Sequence, residues 1–155
     1  MKLVFFDVDG TLSAPQYPVD GKLQVGMSDE RWLRYCEEYG EDTYQYCRPV
    51  PMVKRYAQKR KAEGAALYVL TTCQGEAELR AKEKFVKRYY DGLFERVIPV
   101  RRDADKLTVI RETALEQGHA LQECEIVDDT YAILLQACVD GVKATHVANI
   151  ASEEA

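Results

Sequence analysis

Four short stretches of the sequence hold residue types that can do chemistry together. They are Asp7 and Asp9 with Gly10 and Thr11 directly behind them, the pair Thr71 and Thr72, the single Lys106, and the pair Asp128 and Asp129. Carboxylates gathered at one place repel one another unless a cation joins them. Carboxylate oxygens, carbonyls and waters are the ligands that Mg²⁺ prefers, so Asp7, Asp9, Asp128 and Asp129 are the candidate metal ligands. Gly10 permits a tight turn right after the first carboxylates. Backbone N–H groups there can then face an anion, which makes Gly10 and Thr11 candidate substrate-binding residues. Thr71 and Thr72 offer hydroxyl donors, and Lys106 offers an ammonium to phosphate oxygens. A metal, a carboxylate nucleophile, a hydroxyl and an ammonium in one place make a phosphoryl-transfer site.

The elements that must position these residues alternate along the chain. Five apolar runs read as strands: residues 2–6, 65–70, 96–100, 124–127 and 142–147. The first and second are continuous, as in strands buried on both faces, and the fourth runs up to Asp128-Asp129. Pro99 weakens the third by removing a ladder hydrogen bond. Helices are predicted over 51–62, 76–90, 106–117 and 130–139. Pro51 suits a first helical position, Asp105 is a candidate N-cap and Gly118 a terminator. In the last helix, Tyr131, Leu134, Leu135 and Cys138 have the spacing of a core-facing stripe. The fold class expected is α/β: a Rossmann-like three-layer sandwich around a mainly parallel five-stranded sheet. In such a sheet ligands bind at the carboxyl ends of the strands, where Asp7, Thr71 and Asp128 fall.

Phe5-Phe6-Asp7-Val8-Asp9-Gly10-Thr11-Leu12 resembles the first motif of the haloacid dehalogenase-like hydrolases. Thr71 after Leu67-Tyr68-Val69-Leu70, Lys106, and Ile126-Val127-Asp128-Asp129 resemble the other three, in the same order. The resemblance implies an Mg²⁺-dependent phosphatase that hydrolyses a phosphate monoester through an aspartyl-phosphate. It implies that Asp7 is the nucleophile and that Asp9 is the acid and base, its backbone carbonyl also reaching the metal. It implies that Thr71 donates to the phosphoryl group, that Lys106 neutralises charge, and that Asp129 holds Mg²⁺ together with Asp128. It further implies a sheet order that places the first, fourth and second strands adjacent. A phosphomutase or nucleotidase of the same fold, and an idle binding or scaffold protein that retains it, are the alternatives.

The length of 155 residues fits a single domain, and a chain of this size buries enough surface to fold without disulfides or metal. The formal charge of −5 speaks against a dedicated nucleic-acid partner, and the basic run 54–61 reads as a solvated helix face. Apolar runs stay far below the ~18 residues of a membrane span. The five cysteines, without a CxxC pair, and the early arrival of Asp7 in the first apolar run predict a cytoplasmic protein. Residues 13–47 do not fit the alternation. They hold one helix candidate at 28–39, turn residues such as Asp20-Gly21, and the aromatics Trp32, Tyr35, Tyr39, Tyr44 and Tyr46. That is too little for a full helical cap, so a capless or minimally capped site is expected. These aromatics are either a partial lid or a small core, with Tyr17 and Arg31 within reach of a phosphorylated substrate. An open site of this kind admits varied substrates or is covered by a second copy in a homo-oligomer.

Overall fold

In the computed structural model, which describes residues 1–154, the chain opens with β1 (Leu3–Phe6), whose four apolar residues are all buried. Three short strands follow, β2 (Ser13–Ala14), β3 (Tyr17–Val19) and β4 (Lys22–Gln24), then α1 (Asp29–Tyr39) and β5 (Arg48–Pro49). The remainder alternates as α2 (Pro51–Ala62), β6 (Ala66–Thr72), α3 (Glu76–Tyr90), β7 (Val97–Val100), α4 (Lys106–Gln117), β8 (Cys124–Asp128), α5 (Tyr131–Asp140), β9 (Lys143–His146) and α6 (Val147–Glu154).

Five of the strands form one parallel sheet in the order β7-β6-β1-β8-β9. This is the expected α/β sandwich with the first, second and fourth sheet strands adjacent, and the structure puts β1 between β6 and β8. Phe6 lies opposite Val69 on one side and Val127 on the other, so the three central strands end nearly level. Pro99 is accommodated because β7 is an edge strand. Alternation along β1 divides the core. Val4 and Phe6 pack toward α2, α3 and α6, whereas Leu3 and Phe5 pack toward α4 and α5.

The insertion is bound to this frame at both ends. β2 pairs antiparallel with β5, which closes the segment at its base. β3 and β4 form a hairpin whose turn residues, Asp20 and Gly21, both have positive φ (52° and 76°), as a two-residue turn of this hand requires. Tyr17, Tyr35 and Tyr44 are buried in the same core as Val4 and Phe6. Those three tyrosines are therefore core, whereas Tyr39 and Tyr46 stay exposed.

Two local expectations fail. In α5 the buried residues are Ile133, Leu134 and Ala137, while Tyr131, Leu135 and Cys138 are exposed. Residues 131–139 are apolar nearly all round, so spacing alone admits several stripes, and packing against β8 and β9 chooses between them. Asp105 makes no side-chain cap; its carboxylate pairs with Arg102 at 3.1 Å instead. The basic run on α2 is partly structural. Arg60 reaches Glu125 on β8 at 2.9 Å, and Lys61 donates to the Gly92 carbonyl.

Glu125 is fully buried and also accepts hydrogen bonds from Tyr56 Oη at 2.5 Å and Thr145 Oγ1 at 2.6 Å. Removing one partner of a buried ion pair costs about 3–5 kcal/mol, because the other charge stays behind unpaired. Here Arg60 keeps its pair with Glu63 at 3.0 Å, so Glu125→Ala should lower stability by about 2 kcal/mol in chemical denaturation, mainly through the lost partners of Tyr56 and Thr145; a loss below about 0.5 kcal/mol would mean that both hydroxyls find other partners or water.

Candidate active site

The level ends of β1, β6 and β8 deliver Asp7, Thr71 and Asp128 to one edge, and α4 starts beside them with Lys106. Lys106 is buried and acts as the hub: its Nζ lies 3.1 Å from Asp7 Oδ1 and 2.9 Å from Asp128 Oδ2. Burial disfavours its charge, but Asp7 and Asp128 outweigh this and raise its pKa. Asp128 is further held by accepting bonds from the backbone N–H groups of Asp129 (2.8 Å) and Thr130 (3.0 Å). One carboxylate oxygen each of Asp7, Asp128 and Asp129 lie within 4.8 Å of one another. Three converging carboxylates with a single ammonium between them form an all-oxygen donor set that suits a hard divalent cation. Burial pushes Asp7 up to about 7, with Asp128 and Asp9 adding to the rise and Lys106 opposing it. Burial followed by the Asp128 charge likewise raises Asp129. The cluster is thus short of positive charge.

Gly10 has φ +77°, and a Cβ there would sit 2.1 Å from Asp129 Oδ2. The absence of a side chain at residue 10 is what lets Asp129 approach the β1 loop. The expectation that the Gly10 and Thr11 amides face an anion is not met. The Gly10 N–H donates to Ser13 O and the Thr11 N–H to Val8 O, because the chain must fold back at once to enter β2. The Thr11 hydroxyl is buried without a hydrogen-bond partner among the described residues.

Asp9 turns away from the other three aspartates. Its Oδ1 accepts from Tyr17 (3.1 Å) and Tyr44 (2.8 Å), both from the insertion, and its Oδ2 lies 3.1 Å from Lys82 Nζ. Lys82, on α3, is 1% exposed and was not among the sequence candidates. It also donates to Thr71 Oγ1 at 2.8 Å and the Thr72 carbonyl at 2.7 Å, and pairs with Glu78 at 2.7 Å. Glu78 in turn accepts from Trp32 Nε1 at 2.8 Å. A signal for this pair exists in the sequence: Glu78 and Lys82, four residues apart, share the helical face of the apolar Phe85 and Val86. The two threonines differ. Thr71 is buried and accepts from Lys82, so its own proton is free to be donated, whereas the Thr72 hydroxyl donates to Asp103 Oδ1 at 2.6 Å. Cys73 is buried next to them, and burial pushes its thiol up to about 12, consistent with packing. Arg31 does not reach the site; it pairs with Asp20 at 3.1 Å.

The overall fold of this chain is found again among solved structures. The chain has the haloacid dehalogenase-like hydrolase fold. A haloacid dehalogenase-like family hydrolase from Streptococcus pneumoniae is similar over 98% of this chain and 90% of that one, with a TM-score of 0.59 and 16% identity. The 3-deoxy-D-manno-octulosonate 8-phosphate phosphatase of Moraxella catarrhalis, solved with magnesium, phosphate and KDO, is similar over 91% of this chain and 64% of that one, with a TM-score of 0.51 and 22% identity. The D,D-heptose 1,7-bisphosphate phosphatase of Burkholderia thailandensis matches over 92% of this chain and 75% of that one, with a TM-score of 0.55 and 12% identity. At these identities the likeness is one of fold. No family model matches the sequence, and no curated protein matches it. Within this haloacid dehalogenase-like fold no described helix is long and apolar enough to cross a membrane.

The raised Asp7 links the site to stability. Between 3.8, the ordinary value, and about 7 the folded metal-free protein holds a proton that the unfolded chain has lost. The stabilisation from this group is therefore present at low pH and is lost as pH rises through about 7. Two results are expected in thermal melts. Mg²⁺ should raise the melting temperature more at pH 8 than at pH 5, and Asp7→Asn should raise that of the metal-free protein at pH 8 by a few degrees, about 1–2 kcal/mol. Equal effects of Mg²⁺ at the two pH values would contradict a charge-starved site.

Proposed function

We propose that this protein is an Mg²⁺-dependent phosphatase that hydrolyses a phosphate monoester through an aspartyl-phosphate on Asp7. The observation that carries this reading is the buried Asp7–Lys106–Asp128 cluster with Asp129 beside it, at the carboxyl edge of a fold shared with phosphatases. Asp7, Asp128 and Asp129, with the Asp9 carbonyl, would hold Mg²⁺, which when bound polarises the phosphoryl group and neutralises its charge.

The chain's own residues do the rest. Lys106 bonds Asp7 Oδ1, fixing the plane of the carboxylate that attacks phosphorus. As the bond from phosphorus to the leaving oxygen breaks, Asp9 gives that oxygen a proton. In the second half, water attacks the aspartyl-phosphate and Asp9 takes a proton from it, releasing phosphate and restoring Asp7. Tyr17, Tyr44 and Lys82 all donate to Asp9 and so fix the orientation of its carboxyl group. Lys82 acts as a positioning residue. By donating to Thr71 Oγ1 it turns the threonine proton outward toward a phosphoryl oxygen.

Turnover of an aryl phosphate should fall to the level of a blank in Asp7→Asn, with the circular dichroism spectrum retained. It should also vanish with EDTA and return with Mg²⁺. Clear residual activity in the purified variant would remove Asp7 as the nucleophile. For Lys82 the informative variant is Lys82→Met combined with Glu78→Gln, which removes the buried ammonium together with the buried carboxylate and leaves Asp9 to Tyr17 and Tyr44. Its kcat should drop by about 10²-fold while the Mg²⁺ concentration for half activity stays as in the parent. An unchanged kcat would make Lys82 purely structural.

A further inference from the structure

Between the β3–β4 hairpin, α1 and the loop after β1 lies a cleft of about 280 Å³. One wall is apolar and aromatic, built from Tyr17, Trp32 and Met27, with the Tyr17 and Trp32 rings edge to face at 5.0 Å. The other polar groups are carboxylates: Asp9 and Asp129 at the inner end and Asp29 at the rim. No lysine or arginine lines it. Lys82 and Lys106 are 1% exposed and bonded to Asp9 and Glu78, and to Asp7 and Asp128. Arg31 is turned to a separate cavity on the far side of α1, where it meets Asp20.

The leaving oxygen of a substrate must meet Asp9 to receive its proton, and Asp9 lines this cleft. The alcohol part of the substrate therefore lies in it. Asp9 is held by Lys82 and two tyrosines, and Asp129 stands with the metal-binding cluster, which leaves Asp29 as the carboxylate open to that alcohol. Its place in the first turn of α1 would favour an acid there whatever the ligand. The helix does not require that three carboxylates and an aromatic wall share one cleft without a lysine or arginine. An anionic substituent on the alcohol would stand beside the Asp29 carboxylate with no lysine or arginine of the cleft to pair with. Like charges a few ångströms apart near a protein surface disfavour each other by more than tenfold. An ammonium gains from Asp29 and from the ring wall.

We propose that the substrate is the phosphate ester of an alcohol without negative charge, with an amine-bearing alcohol preferred, and that esters carrying a carboxylate or second phosphate near the ester are poor substrates. This rests on the phosphatase reading of the same site. The test uses three esters of similar size: 2-aminoethyl, 2-hydroxyethyl and carboxymethyl phosphate. kcat/KM is measured with Mg²⁺ on the parent protein, and binding of each ester is measured by calorimetry on the parent and on Asp7→Asn. The expected order is aminoethyl, then hydroxyethyl, then carboxymethyl, with at least about tenfold between the first and last in both measurements. Asp29→Lys should narrow or invert that ratio. Carboxymethyl phosphate as good as the amine, or no measurable binding of any of the three, overturns the proposal. If the binding order holds but neither these esters nor an aryl phosphate is turned over, the cleft assignment stands and the phosphatase reading is what fails.

Discussion

Negative charge confined at the carboxyl edge of the sheet is the constraint around which this molecule is arranged. Asp7, Asp9, Asp128, Asp129 and Glu78 converge there, and two buried lysines stand among them. Neither lysine could be buried alone, since an unpaired ammonium in the interior is costly; neither could the carboxylates. The two positive charges divide the work. Lys106 ties the end of β1 to the end of β8, and Lys82 ties the loop after β1 to β6 and α3. What the lysines leave uncompensated, around Asp7 and Asp129, is where a divalent cation fits.

The insertion after β1 takes part in this arrangement directly. Its buried tyrosines extend the core under β1 and β6, and the hydroxyls of Tyr17 and Tyr44 end on the carboxylate of Asp9. Trp32 does the same through Glu78. Side chains that hold the segment down also set the orientation of the acid–base residue, so packing and chemistry are not separable here. The segment is short; it is pinned at its base by the β2–β5 pair and walls one side of the cleft. The chemistry of that wall is aromatic and acidic.

The frame of the site was legible in the sequence because its signals are local. Continuous apolar runs marked β1 and β6, as parallel strands buried on both faces require, and Ile126-Val127 before the paired aspartates marked β8. The order of elements then determined that Asp7, Thr71 and Asp128 meet, since parallel strands present their carboxyl ends at one edge. Lys106 could be named because a lysine at a helix start opposes the helix dipole and needs a reason to be there. Gly10 could be named too, although its observed service is room for Asp129 rather than free amides.

Other features depended on contacts far apart in the chain. Lys82 meets Asp9 across 73 positions, and nothing near either residue announces the other. The buried face of α5 was undecidable from spacing, because apolar residues occupy its whole circumference and only the packing of β8 and β9 selects one side. Whether the insertion's aromatics were core or lid depended on where residues 13–47 fold back, a matter of the β2–β5 pairing and of the core beneath. By itself the sequence determined which residues stand at the ends of which strands, since alternation and strand burial are written in neighbouring residues. Tertiary structure alone decided which charges are paired, which walls face the substrate and where the missing positive charge belongs, because these depend on distances and solvent exclusion that exist only once the chain is folded.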